Sequence, residues 1–388
     1  MANIIVISHT PTHPANAGNR ARVNALLSSL QAAGHKISMF FLDSGDGDIK
    51  AMSNTWDDFW THPYTSPRQN VDRKIRTRIS RFLKIDLYKQ YRIDDWWLED
   101  INAKLCELNG SNSFDVVLVE YVFFSRVFES FPKALKVLDT HDAFGDRHKT
   151  FLKNGSHPSW FYTTPAEEQK GLMRADVVLA IQSREKSYFS SLVPDKKVLV
   201  VGHATSVSKK IYSNKPSNKL IFIGTENDIN LHAISYFLEN IWPSIQENVP
   251  DTRLDIVGAV GTRIGNLPTG CFAIGEVPNV GEWYDKADIA INPVQFGTGL
   301  KIKNIEALGH GMPLVTTTVG AEGIEYGSGS AFFVADSPDQ FILQVCRLLE
   351  NRILRENLSK FALNFAREYN HNAISPILKY IDHEFDSE

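Results

Sequence analysis

The residues best suited to chemistry lie in one contiguous stretch, residues 293–323, PVQFGTGLKIKNIEALGHGMPLVTTTVGAEG. It follows a short apolar run. Gly297-Thr298-Gly299 spells a tight turn in which backbone can approach a ligand closely. A helix is predicted to begin near Leu300, with Ile302, Ile305 and Leu308 on its buried face. A glycine turn feeding a helix amino end offers free N–H groups and the positive end of the dipole to an anion. Lys301 and Lys303 add two positive charges there, so a diphosphate is the natural guest; a capped helix carrying two surface lysines is the alternative. The turn is not a P-loop, because GxxxxGK[ST] is absent. Glu306 has two readings: a helical carboxylate paired with Lys303, or one that accepts hydrogen bonds from vicinal ribose hydroxyls, which ionised carboxylates do well.

A second set lies in the first half. Residues 137–142, VLDTHD, end an apolar run on polar side chains. Ligands of open α/β sheets bind outside that carboxyl edge. His141 exchanges protons near neutral pH, and Asp142 follows it. Glu120 closes the preceding apolar run, as a second acceptor-side candidate or a helix-capping acid. Residues 11–20, PTHPANAGNR, form a long loop ending at a helix start, with Gly18 and Arg20 as candidates and an ordinary Asn-capped loop as the alternative.

These residues need elements to hold them. Apolar runs at 4–7, 37–42, 116–119, 137–138, 177–181 and 198–201 alternate with amphipathic stretches such as 20–33, which Gly34 ends. Strands separated by helices predict a parallel, doubly wound sheet. Residues 205–218, TSVSKKIYSNKPSN, read as a linker. A second series follows, with strands at 220–223, 254–257, 272–274, 289–291, 314–316 and 332–334. The expectation is an α/β chain of two Rossmann-like domains, 1–204 and 219–369. Residues 43–67 read as an irregular loop. Residues 68–92 carry nine Lys/Arg, with Ile75, Ile79, Phe82 and Ile85 on one helical face. That basic amphipathic helix has three readings: a solvated face, a surface for anionic membranes, or a holder for an anionic acceptor.

Composition bounds the answer. At roughly 150 residues per domain, 388 residues suggest two or three domains and a core that needs no staples. The net charge of −4 argues against a general nucleic-acid binder. Cys106, Cys271 and Cys346 are too few and too scattered for a disulfide framework or a CxxC metal site. No apolar run approaches the ~20 residues of a membrane span, and the start MANIIVISHT lacks signal-peptide character. A cytoplasmic protein is expected.

With Gly297, Gly299, Lys301, Lys303, Glu306, Ala307, Gly311, Pro313, Val315 and Thr317 in place, the stretch resembles the donor-site signature of GT-B glycosyltransferases, specifically the retaining family 4 group. The match continues through Gly320-Ala321-Glu322-Gly323. Residues 222–245 are similar to the family's first carboxy-domain βα unit, and Ile274-Gly275-Glu276-Val277 to its base-binding loop. The resemblance implies two Rossmann-like domains facing a central cleft, with a carboxy-terminal helix, about 370–388, packing back on the amino domain. It implies transfer of a sugar from a nucleotide-diphosphate sugar to a hydroxyl of a glycan, lipid-linked saccharide or protein, with retention and without a metal or other cofactor, as in polysaccharide biosynthesis.

By the same resemblance, Glu306 holds the donor ribose, Lys301 with Lys303 clamps the diphosphate, and backbone near Val277 reads the base. Gly18 and Arg20 approach donor phosphate, His141 touches the donor sugar, and Gly224, Gly297, Thr298, Gly299 and Leu300 line the donor site. The chain departs from the family at two places: Thr298 stands where the first Glu of E-x7-E is usual, and residues 225–228, TEND, lack the Arg and Lys that some members carry for the phosphates. Asp46-Gly47-Asp48 resembles the D-x-D metal motif of the other large glycosyltransferase fold, but it follows no predicted strand and reads as plain loop. Peripheral docking at the inner membrane face through 68–92 is a further expectation. A sugar-nucleotide epimerase or hydrolase, or a non-catalytic partner subunit, stays open beside the transferase.

Overall fold

The computed structural model describes residues 1–65, 90–155, 160–208 and 218–385. Two units emerge. The first comprises Met1–His13, Leu27–Val200 and the chain from Ile377 onward; the second comprises Pro14–Leu26 and Val201–Pro376. The segment bearing Gly18 and Arg20 thus belongs with the second unit. The final helix, Arg352–Phe385, contributes to both and contains Pro376.

The first unit is built on a seven-stranded parallel sheet: β1 Asn3–Ser8, β2 Lys36–Asp43, β3 Asp58–Pro63, β4 Val116–Glu120, β5 Leu135–Asp139, β6 Val177–Ala180 and β7 Lys197–Val200. Their order is β3-β2-β1-β4-β5-β6-β7. The inner strands read as near-continuous apolar runs because helices cover both faces of a parallel sheet; β4, VVLVE, is buried along its whole length. Phe123, Phe131, Phe144 and Phe161 fill the core on one side. The second unit repeats the plan with six parallel strands: β8 Lys219–Ile223, β9 Arg253–Val257, β10 Cys271–Gly275, β11 Ile289–Asn292, β12 Leu314–Thr316 and β13 Phe333–Val334. The order is β10-β9-β8-β11-β12-β13. Trp242, Phe237 and Phe341 centre its core. In each sheet the strand order reverses once, between β1 and β4 and between β8 and β11. Those two points are where the carboxyl ends of an open sheet part to admit a ligand.

Of the expected irregular loop 43–67, the described residues 43–65 are more regular than the sequence predicts. They hold the helix Ile49–Thr55 and the edge strand β3, paired in register from Ser38–Asp58 to Asp43–Pro63. An edge strand covered on one side needs no continuous apolar run, so DFWTHP gives little periodic signal. Asp48 of the Asp46-Gly47-Asp48 triplet caps the helix: its Oδ1 accepts from Ala51 N at 2.9 Å. Asp48→Ala should therefore lower stability by about 1 kcal/mol, the usual worth of such a cap. Thermal denaturation with an unchanged midpoint would contradict this.

Residues 201–208 belong to the second unit: Thr205 N donates to Asn370 Oδ1 at 2.9 Å and Ser208 N to Gly309 O at 2.9 Å. The rest of the expected linker up to residue 217, and the basic stretch 68–92 up to residue 89, lie outside the described residues. Among the described residues no helix is long and apolar enough to cross a membrane.

Candidate functional site

The second unit carries the glycine turn at its switch point. β11 ends at Asn292, and the chain then turns through Gly297 and Gly299, whose φ angles of +133° and +74° favour glycine. The helix starts two residues later than the spacing suggests, at Ile302, and runs to Gly309 with Lys301 as its cap. A buried amide network fixes it to the sheet. Asn292 Nδ2 donates to Asn304 Oδ1 at 3.0 Å, Asn304 Nδ2 to Gly320 O at 2.8 Å, and Thr316 Oγ1 to Asn292 O at 2.9 Å. These asparagines escape a reading by motif, because a lone Asn becomes informative only when its partners across the sheet are known.

The two lysines separate. Lys301 folds back on the turn: its Nζ donates to Gly299 O at 2.8 Å and lies 3.7 Å from Glu322 Oε2. Thr298 offers its carbonyl to the same ammonium at 3.4 Å. Lys303 points toward β8. Its Nζ donates to Asn230 Oδ1 at 2.7 Å and sits 4.6 Å from the centre of the Phe222 ring. Burial, reinforced by the Lys301 charge, pushes Lys303 down to about 7. Burial pushes Glu306, one turn further on, up to about 7 against the pull of Lys303. Tyr284 donates its hydroxyl to Lys303 O at 3.0 Å and is held protonated by burial, with Glu306 adding to the effect. One helix face therefore presents an acid and a base that both change charge near neutrality.

Some of the other predicted donor-side residues pack near the turn and its helix. A Cβ on Gly18 would lie 3.6 Å from Ile302, and one on Gly297 would lie 3.1 Å from Ile229. Leu300 is buried. Arg20 lies near Asn16, 3.4 Å away. Gly224 follows β8 directly and packs backbone to backbone on Gly258, where a Cβ would come within 2.3 Å of Gly224 O. Val277 stands apart, partly buried two residues beyond β10, three strand positions from β11. The loop after β8 lacks Arg and Lys, but Arg263 arrives from the turn Ala259–Arg263, with Nη1 3.5 Å from Asp228 and Nε 3.8 Å from Glu226. Sequence reading missed it because the cation comes from the neighbouring strand's loop.

In the first unit the structure joins Glu120, His141 and Asp142 at the ends of β4 and β5. These strands pair Glu120 opposite Asp139. His141 Nε2 is hydrogen-bonded to Glu120 Oε2 and lies 3.7 Å from Asp139 Oδ2. Nε2 thus carries its hydrogen toward the carboxylate, which sets the tautomer. The imidazole stacks on Tyr121, centroids 4.1 Å apart. Among the described residues Glu120, Asp139 and His141 are the group whose spacing could suit a metal. A direct hydrogen bond joins His141 and Glu120 within this group. Asp142 Oδ2 lies 3.3 Å from Arg147 Nε. Glu168 anchors the loop beyond, accepting from Phe144 N, Gly145 N and Tyr188 Oη at 2.7, 2.8 and 2.7 Å, and burial raises it to about 7. His9, just past β1, went unremarked in the sequence; burial and the neighbouring His141 hold it at about 3.

Residues 217–351 match the family model described as Glycosyl transferases group 1. An uncharacterised 44.6 kDa protein of the cps region of Klebsiella pneumoniae is 23% identical over 393 residues, covering 95% of this chain and 96% of the relative. Among solved structures, sucrose-phosphate synthase from Thermosynechococcus elongatus superposes with a TM-score of 0.72 at 14% identity, covering 100% of both chains. A single-site mutant of TarM from S. aureus, solved with fondaparinux, alpha-GlcNAc-glycerol and UDP, gives 0.68 at 11% identity, covering 98% of both. The fold is GT-B, two α/β units each on a parallel sheet.

Proposed function

We propose that this chain is a glycosyltransferase that moves a sugar from a nucleotide-diphosphate sugar to a hydroxyl acceptor with retention of configuration. The observation that carries the reading is the Gly297–Gly299 turn running into a helix that presents Lys303 and Glu306 at the switch point of the second sheet, inside the region matching the group 1 model. The UDP in the TarM complex supports the donor class. In this reading the diphosphate meets Lys303, the helix amino end and the Lys301 that shapes the turn. Glu306 accepts from the ribose hydroxyls. Backbone at Val277 meets the base, roughly 14 Å from β11 across three strand spacings, and Gly224 leaves room between. Gly18 and Arg20 border the phosphates. His141, oriented by Glu120, serves the transferring sugar.

Charge developing on the departing diphosphate oxygen is stabilised by groups already oriented before reaction. The acceptor oxygen bonds to the anomeric carbon on the face the phosphate leaves. The acceptor's proton passes to the departing phosphate oxygen, so atoms and charge balance without a protein nucleophile. The lysines and helix end are the charge stabilisers in this scheme, and turnover is expected to persist in chelator.

The test is nucleotide release from UDP-, GDP-, ADP- and dTDP-sugars, with and without glycan acceptors and with chelator, followed by NMR of the product's anomeric centre. Acceptor-dependent release with a retained anomer is expected. Product formed without acceptor, free nucleotide from a hydrolase or an epimerised sugar nucleotide from an epimerase, would identify those readings, and an absence of donor binding would leave a non-catalytic subunit. The capsule-region relative agrees with a polysaccharide-building role. We place the chain in the cytoplasm, with docking on anionic membrane through 68–92 on the strength of its nine basic residues. Flotation with anionic vesicles should carry the protein upward at low salt; an absence of binding at every salt concentration would rule docking out.

A further inference from the structure

We infer that the carboxyl edge of the first sheet holds a subsite for an uncharged pyranose ring of the acceptor, set against Trp160 and hydrogen-bonded by Arg147 and Asp142. The inference rests on the transferase reading only in calling that sugar the acceptor.

The backbone speaks first. Five non-glycine residues have left-handed φ among the described residues, and four of them, Tyr121, His141, Asp146 and Trp160, lie in the loops after β4 and β5, with φ between 57° and 72°. For bulky rings this conformation costs roughly 1–3 kcal/mol each, and it persists where surrounding structure needs the side chain in one place. Trp160 is held by perpendicular packing on Tyr121, 5.3 Å at 85°, and on Phe123, 5.7 Å at 90°. Its plane is thereby fixed while part of the indole stays exposed.

Polar atoms flank the ring. The His9 ring lies 6.4 Å from it at 23°, and the Arg147 guanidinium carbon 5.9 Å from its centre. His9 Nδ1 and Arg147 Nη1 are both buried and make no hydrogen bond among the described residues. Leaving such groups unsatisfied costs about 1–3 kcal/mol apiece, which a ligand bearing several hydroxyls would recover.

Charge selects the ligand class. The Arg147 cation is already faced by Asp142, and Glu120 and Asp139 stand behind His141. A phosphate or uronate would meet one guanidinium among three carboxylates. A neutral sugar hydroxyl can accept from Arg147 and donate to Asp142 at once, while the apolar C–H face of its ring suits an aromatic wall.

The test uses the full chain and a panel of methyl glycosides of glucose, galactose, mannose and N-acetylglucosamine, beside methyl glucuronide and glucose 6-phosphate. Binding is read by saturation-transfer NMR and titration. At least one neutral glycoside should bind wild-type protein and lose at least tenfold in affinity with Trp160→Ala, but no more than threefold with Trp160→Phe. Arg147→Ala should cost at least fivefold, and it carries the test if Trp160→Ala does not fold. Tighter binding of the charged sugars, undiminished binding by Trp160→Ala or Arg147→Ala, or no binding across the panel would overturn the inference. UDP-sugar binding is measured on the same samples. Its absence in wild-type protein would remove the transferase reading while leaving a Trp160-dependent glycoside result intact.

Discussion

Replacing Glu306 with alanine is expected to lower kcat/KM for the nucleotide-sugar donor at least tenfold, a loss of about 1.4 kcal/mol or more in transition-state stabilisation. The carboxylate stands one turn beyond Lys303 on a helix locked to the sheet by Asn292, Asn304 and Thr316, so it has little freedom to retreat. A hydrogen bond to a charged group in such a site contributes about 1.5–3 kcal/mol, more than an exposed helical Glu could cost. Glu306→Gln keeps one acceptor oxygen and should fall between wild type and alanine. Lys301→Ala belongs in the same series, with a loss of at least tenfold, because Lys301 holds the turn carbonyls as well as supplying charge. Steady-state kinetics against donor concentration decide the matter. Wild-type kcat/KM in Glu306→Ala would mean that this carboxylate only supports the helix.

Donor affinity should peak near pH 7 and fall on both sides. Lys303 is pushed down to about 7, so above that pH it loses the proton whose charge attracts the diphosphate. Glu306 is pushed up to about 7, so below that pH it gains a proton and loses acceptor strength toward the ribose. Both groups have their useful charge together only around neutrality, and the two limbs report macroscopic values of the pair. Each limb can reach tenfold per pH unit when one proton is involved. A nucleotide-diphosphate sugar is the right probe, since its diphosphate has no group titrating in this range. Titrations from pH 5.5 to 8.5 should show the alkaline limb vanish in Lys303→Met and the acid limb vanish in Glu306→Gln. A flat wild-type profile, or limbs that survive these substitutions, would show that the pair does not meet the donor.

Stability follows the same shifts with a definite sign. A carboxyl raised in the fold, such as Glu306 or Glu168, binds its proton more tightly folded than unfolded, so its contribution is fully present below the ordinary carboxylate range and is lost as pH rises toward about 7. Lys303, lowered in the fold, penalises the folded state below about 7 and ceases to do so progressively between there and the ordinary lysine range.

Much of this protein was legible in the sequence because the signals are local. Apolar runs such as residues 4–7 and 116–119 are what a sheet buried on both faces demands, and they became β1 and β4. The glycine turn, its helix and the spacing of Lys301, Lys303 and Glu306 are contiguous, so their shared location needed no knowledge of the fold. The tertiary structure alone decided what those residues face. Lys301 turns back on its own loop while Lys303 crosses to Asn230, a choice made by packing over Phe222 that no spacing records. Glu120 and His141 meet because β4 and β5 pair in one register, and Arg263 reaches the β8 loop because β9 lies next to β8. The edge strand β3 was hidden because an edge needs no continuous apolar run. The grouping of His9, Trp160 and Arg147 was hidden because its members come from the loop after β1, the start of the helix Arg147–Lys153 and the segment beyond that helix. The positive charge that seemed a property of a motif is divided by burial and partners into one lysine that shapes a turn and another poised near neutrality. Periodicity and contiguous motifs are written along the chain, whereas neighbours, burial and the resulting charge states arise only when distant strands come together.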